Sequence, residues 1–206
     1  MKLKLDPKIF ATYRRDLCHG HWLGSRPGAK SKGRIAILLI PKNASQTISR
    51  NCSDAWKREF FRHNNDTHIV NYVVLLRDPL RRWVSGVVEY CFRNNKDIKT
   101  LDLDKIIFDE HTVPQFEHCY FINPDKCDFY VLEDNGIQEI YENYNIYFES
   151  IKNANEAKET KQKHTSTKWL LNYVSKNPAF RQKIKKFYAR DYSIIKQYYK
   201  ERYQKS

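Results

Sequence analysis

The stretch that most constrains this chain runs from Arg34 to Thr47, RIAILLIPKNASQT. Ile35 to Ile40 is an uninterrupted apolar run, rich in β-branched residues. Such a run, with no polar face, suits a strand buried on both sides, as in a parallel sheet. Pro41 stops it. Lys42 and the small or polar residues Asn43, Ala44, Ser45, Gln46 and Thr47 follow. Ile48, Cys52, Ala55 and Trp56 then recur at helical spacing, which predicts a helix over 48–61. A strand, a short polar turn with one lysine and a helix start together make a geometry that holds phosphate. The first N–H groups of a helix have no intrahelical partner, and the helix dipole favours an anion beside them. The glycine-rich pattern G-x-x-x-x-G-K-[ST] is absent, which excludes an ordinary nucleoside triphosphate loop.

A second junction of the same kind lies downstream. Ile69 to Leu76, IVNYVVLL, is another β-branched apolar run, and it ends in Arg77-Asp78-Pro79. Proline is well placed in the first turn of a helix, and Asp78 suits its cap. Leu80, Trp83, Val84, Val87, Val88 and Cys91 share one face, so a helix is predicted over 80–92. Ser85 falls about two turns into it. Ligands of parallel sheets bind beyond the C-terminal strand ends, so Lys42 and Arg77 are expected to face one cleft. Arg77, Arg81 and Arg82 crowd a helix start, where cations are unfavourable unless an anion compensates them.

The rest of the chain fits around these junctions. Residues 1–33 read as an N-terminal extension, loop-like from His19 to Lys32 because of its glycines. Glu59 to His63 reads as a short second strand, and Asn64-Asn65-Asp66 as a turn. Asn94 to Asp109 predicts a loop and a short helix over 101–108. Phe129 to Leu132 predicts a further strand with Glu133 at its end, and 136–148 a helix. Residues 149–168 carry no apolar periodicity and read as a mobile loop. Trp169 to Val174 starts another helix, and 178–203 supplies one or two more. Strands alternating with helices predict an α/β chain of three layers around a central, mainly parallel sheet. At 206 residues the chain is expected to form a single domain over 1–206.

A formal net charge of +13 favours anionic partners: a nucleotide, nucleic acid, a membrane surface or an acidic polymer. Five cysteines without a C-x-x-C pair or zinc spacing predict reduced thiols, with a Cys119–Cys127 pairing left open. Cys18, His19 and His21 have poor spacing for a metal. The N-terminal residues lack the apolar core of a signal peptide, and no apolar run reaches about 18 residues. A soluble, cytoplasmic or otherwise intracellular protein without a membrane span is expected.

Together the two junctions resemble the sulfotransferases that use 3′-phosphoadenosine 5′-phosphosulfate (PAPS). Pro41-Lys42-Asn43-Ala44-Ser45-Gln46-Thr47 is similar to that family's P-K-x-x-x-[ST]-type loop for the 5′-phosphosulfate, with the Ser45 and Thr47 hydroxyls on either side of the pattern's last position. Arg77-Asp78-Pro79-Leu80-Arg81-Arg82-Trp83-Val84-Ser85 matches R-[DN]-P-x-x-R-x-x-S, which grips the 3′-phosphate, at every fixed position. His111-Thr112-Val113-Pro114-Gln115, then a strand ending at Glu133, further resembles the Golgi-type carbohydrate sulfotransferases, as does Phe187 to Tyr192. The first loop lacks the glycine or cysteine that many relatives carry.

The resemblance implies a P-loop-like sulfotransferase fold, PAPS as donor, 3′-phosphoadenosine 5′-phosphate (PAP) as product and no metal. It implies Lys42 beside the bridging oxygen, and the amides of 43–47 with the Ser45 and Thr47 hydroxyls on the 5′-phosphate. Arg77 and Ser85 would hold the 3′-phosphate, and Lys163, His164, Thr165, Ser166 and Thr167 would close over the nucleotide as a loop. Related enzymes place the acceptor's base, His or Glu, between the two motifs. His63 at the ligand end of the second strand is preferred to His68 at the start of the next, with Glu59 an outside candidate. His111, Gln115, Glu133 and His68 are candidate acceptor contacts. The acceptor is expected to be a hydroxyl, in preference to an amine, of a carbohydrate such as an acidic glycan. A P-loop kinase-like phosphotransferase and a basic nucleic-acid-binding protein are the competing classes. The first lacks a Walker pattern and a magnesium aspartate, and the second predicts steeply salt-dependent affinity.

Overall fold

The computed structural model describes residues 21–25, 34–45, 48, 56–60, 69–119, 122, 124–144 and 161–204. The apolar run from Arg34 forms β2 (Arg34–Leu38), after β1 (His21–Ser25) and before β3 (Trp56–Phe60). The second run forms β4 (Ile69–Leu76), and β5 is Cys127–Val131. The strands make one sheet in the order β3-β1-β2-β4-β5. β2, β4 and β5 run parallel, with Ile37 opposite Val73 and Val73 opposite Asp128. β1 is antiparallel to both β2 and β3. The fold is therefore α/β, and its sheet is mixed.

Alternation along the strands divides the core between the two faces of the sheet. Ala36, Leu38, Val74, Leu76, Phe129 and Val131 point to one side, where Phe116, Ile194 and Tyr198 cover them. Ile37, Leu39, Val73, Leu75 and Tyr130 point to the other, against Ile48 and Ile140. Being buried on both faces is what the unbroken apolar runs require. Leu75 and Ile37 are essentially unexposed. At about 25 cal/mol per Å² of apolar area, each such side chain contributes about 2 kcal/mol.

Five helices complete the described residues: α1 (Pro79–Arg93), α2 (Gly136–Tyr144), α3 (Lys161–Lys176), α4 (Pro178–Phe187) and α5 (Ala189–Tyr203). α1 begins as its sequence demands, with Pro79 in the first turn and the Asp78 carboxylate accepting from Arg81 N at 2.8 Å. Its apolar face, Trp83, Val84, Val87 and Val88, packs with Leu170 and Val174 of α3 and with Ile184 and Tyr188. Trp83 Nε1 donates to Ile106 O at 2.9 Å, so the indole polar atom is satisfied inside that cluster. No described helix is long and apolar enough to cross a membrane.

Four expectations are corrected. Residues 161–168 are not loop but the first turns of α3, whose Leu170 and Val174 anchor it in the core. The helix expected over 48–61 does not reach Phe61, because Trp56 to Phe60 form β3; residues 49–55 lie outside the described residues. His21 to Ser25, expected as loop, is a strand because β2 and β3 supply hydrogen-bond ladders on both its edges. The helix expected over 101–108 is only a short 3-10 turn, Leu103–Lys105, preceded by a similar turn at Ile98–Thr100. Cys91, Cys119 and Cys127 are buried, and no disulfide joins Cys119 to Cys127.

Candidate functional site

The parallel pairing of β2 with β4 brings both junctions to one edge of the sheet. The loop after β2 is tightly formed. Lys42 has φ 67° and Ala44 φ 58°, two non-glycine residues in the left-handed region. Each such residue costs on the order of 1–2 kcal/mol, so the surroundings must hold the loop in place. A helical turn opens at Ser45, where Ile48 N donates to Ala44 O at 2.9 Å.

The second junction supplies the restraint. Arg77 Nη1 donates to Lys42 O at 3.0 Å, and Arg82 Nε donates to Pro41 O at 3.0 Å. Arg82 is fully buried, and its guanidinium also donates to Val113 O. Asn43, also buried, donates from Nδ2 to Leu75 O at 2.8 Å and to Gln115 Oε1 at 2.5 Å. Gln115 ties the same knot from beneath. Its Oε1 accepts from Arg77 N at 2.8 Å, and its Nε2 donates to Arg77 O at 2.8 Å. Asp191 of α5 in turn accepts from Gln115 N at 2.9 Å and Phe116 N at 3.0 Å. Complete burial pushes the Asp191 carboxyl up to about 6, against the pull of those amides and of Arg82.

Above this knot lies a cluster of charged side chains. Lys42 Nζ is 3.4 Å from Glu89 Oε2, and Lys163 Nζ is 3.0 Å from the same oxygen. Arg93 Nε meets the other oxygen at 2.9 Å. Burial lowers the Lys42 ammonium from its ordinary value, and Glu89 works against that shift. Burial alone would raise the Glu89 carboxyl, but Lys42, Lys163 and Arg93 together pull it down to about 2. Ser85 lies one turn before Glu89 on α1, so it shares the helix face that Lys42 approaches. Arg77 Nε stands 3.5 Å from Glu133 Oε1, and Glu133 Oε2 accepts from Asp78 N at 3.0 Å.

The expected site residues therefore fall into groups. Lys42, Asn43, Ala44, Ser45, Arg77, Ser85, Lys163 and Glu133 surround the shared edge of β2 and β4. Gln115 is not available to an acceptor, because it is wholly buried and its amide is spent on Asn43 and Arg77. His111 is buried too, its Nδ1 3.0 Å from Asp109 Oδ2 and 3.4 Å from Glu110 Oε1. Its carbonyl lies where a Cβ on Gly86 of α1 would sit at 2.5 Å, so only glycine admits that close packing. His164, Thr165 and Ser166 ride on the first turns of α3, with Thr165 Oγ1 donating to Lys161 O at 2.9 Å. Gln46, Thr47, His63 and His68 lie outside the described residues. β3 runs in the same sense as β2, since both are antiparallel to β1, so Phe60 reaches the same sheet edge as Leu38. β1 separates the two strands, which sets them about 10 Å apart.

Sequence reasoning missed Glu89 as part of this arrangement, placed Asn43 on the phosphate rather than in a buried tie, and counted Arg82 only among the cations crowding the helix start. Arg82 could have been found, because it is the only arginine of the crowded helix start that the apolar α1 face carries inward. Glu89 carried no signal beyond its spacing from Ser85. Asp109, Glu110 and His111 also put three potential ligand atoms within 4.8 Å of one another, but Arg93 Nη1 already stands 3.9 Å from Glu110. No protein-family model, curated protein or solved structure matches the chain.

Proposed function

We propose that this chain is a PAPS-dependent sulfotransferase with a P-loop-like fold, acting on a hydroxyl of a carbohydrate. One observation carries the reading. The lysine loop Pro41 to Thr47 and the helix start with R-D-P-x-x-R-x-x-S, far apart in sequence, are joined by the Arg77 Nη1–Lys42 O hydrogen bond at one end of two parallel strands.

The chemistry asked of the site is positioning and charge stabilisation. The acceptor oxygen attacks sulfur in line, the bond from sulfur to the bridging oxygen breaks, and the electron pair stays on the departing 5′-phosphate. Lys42 stabilises that developing charge. Amides at the helical turn beginning at Ser45, with the Ser45 and Thr47 hydroxyls, hold the 5′-phosphate. Arg77 and Ser85 take the 3′-phosphate, a role that suits the guanidinium fork. His63, three residues on from Phe60 and the end of β3 that shares the sheet edge with Leu38, takes the acceptor's proton. Lys163 brings a second cation beside Lys42 from α3 rather than from a closing loop.

Thermal-shift titration with PAP, adenosine monophosphate, magnesium ATP and a short oligonucleotide tests the assignment. PAP alone is expected to stabilise the protein strongly and saturably. Lys42→Ala removes turnover with labelled donor, and Arg77→Ala removes the preference for a 3′-phosphate. Stabilisation by magnesium ATP equal to that by PAP, or full activity in both variants, refutes it.

A further inference from the structure

We propose that Glu89 is a positioning residue that keeps Lys42 protonated and aimed until the donor's 5′-phosphate takes its place. The inference deepens the sulfotransferase reading and rests on it. A lysine that stabilises a departing phosphate must carry its proton when the donor arrives. Lys42 is mostly withdrawn from water, its side chain 17% exposed, and burial disfavours the ammonium. Among the described residues, three charged groups face it: Glu89 from α1, Lys163 from α3 and Arg77 from the end of β4. Two of these are cations and push the proton off. Glu89 is the single carboxylate among them, and it hydrogen-bonds Lys42 Nζ at 3.4 Å.

Glu89 is itself well suited to the task. Lys42, Lys163 and Arg93 face it, so it stays ionised throughout the range in which a lysine titrates. Its two oxygens divide the work, with Arg93 on Oε1 fixing the carboxylate while Oε2 receives both lysines. Two lysines converging on one oxygen outline the position where a phosphate oxygen would be received. Donor binding is thus an exchange of one anion for another, and the lysine keeps a negative neighbour throughout.

The test reads Lys42 directly. Competitive acetylation by acetic anhydride, followed across pH by peptide mass spectrometry, reports the fraction of neutral amine at Lys42. In Glu89→Gln the Lys42 titration is expected to fall by at least about one unit, a tenfold gain in neutral amine at pH 7. Glu89→Asp, which keeps the charge, restores most of the shift. Lys163→Gln, which removes a like charge, moves the titration the other way, and that arm stands even where Glu89→Gln folds poorly. Saturating PAP returns Lys42 of Glu89→Gln to slow labelling. An unchanged Lys42 titration in folded Glu89→Gln, or no opposite shift in Lys163→Gln, overturns the role of Glu89 and leaves the donor reading intact. Lys42 that PAP never protects, even in the unsubstituted protein, overturns the donor reading, and the positioning role falls with it.

Discussion

Replacing Gln115 by leucine isolates the knot beneath the two junctions. Leucine nearly matches the volume of glutamine, so the change removes hydrogen bonds with little cavity. Three are lost: from Asn43 Nδ2, from Arg77 N and to Arg77 O. At about 1 kcal/mol net for each, the cost is about 3 kcal/mol, rising to about 5 because the abandoned Arg77 groups are partly cut off from water. For a domain of this size that lowers Tm by about 6–20 °C. The same groups hold Lys42 and Ala44 in left-handed conformations, so PAP affinity should also fall, by more than the tenfold that about 1.4 kcal/mol represents. Urea denaturation and calorimetric PAP binding measure the two effects separately. A double-mutant cycle with Asn43→Ala should return a coupling of about 1 kcal/mol, since the pair is in contact. A Gln115→Leu protein within about 0.5 kcal/mol of the parent, a typical surface-substitution effect, would refute the claim that this amide holds the loops.

Asp78→Ala removes the α1 cap to Arg81 N and should cost about 1 kcal/mol in urea denaturation. Buried Cys91, its thiol pushed up to about 11, and Cys127, pushed up further, should resist a thiol reagent at pH 8 until the protein unfolds; peptide mapping identifies the labelled sites. Glu89, held near 2 against an ordinary 4.5, lends stability that is complete above pH 4.5 and is lost as pH falls through 2. The stability gap between the parent and Glu89→Gln, on the order of 2–3 kcal/mol at pH 6, should therefore narrow between pH 4.5 and 3 in denaturant titrations.

The central strands were legible because burial on both faces forces β2 and β4 into continuous apolar runs, and α1 because proline, cap and apolar stripe agree. β1 was not. His21-Trp22-Leu23-Gly24-Ser25 contains no β-branched residue and one glycine, and its extended form comes from the ladders on either side, which local pattern does not record. The start of α3 was missed for the same kind of reason. Lys161 to Lys168 has no apolar stripe of its own, and its helical form continues from the turns that Leu170 and Val174 anchor. At the site, spacing brought Lys42 and Arg77 to one edge. It could not reveal that Gln115 faces inward, because a buried amide and a ligand-binding amide look identical in sequence.

The crowded cations at the start of α1 show how far charge can be argued from sequence. Their number alone seemed to call for a bound anion, yet the fold answers each one differently. Arg82 is satisfied by the carbonyls of Pro41 and Val113, with the buried Asp191 lending its charge, so it needs no ligand. Arg77 divides its guanidinium between the Lys42 carbonyl and the Glu133 carboxylate. Arg81 is exposed to water. The shortage of negative charge lies instead around Glu89, where one carboxylate serves Lys42, Lys163 and Arg93. An anion entering this edge therefore gains most beside the two lysines, where attraction is strengthened by burial and weakly screened by salt. It gains least at Arg82, whose donors are already taken. Of the fixed positions in the R-D-P-x-x-R-x-x-S segment, Arg82 thus builds the loop that the lysine stands on, which leaves Arg77 and Ser85 to meet a ligand, while the strongest pull on an anion comes from Lys42 and Lys163, outside that segment.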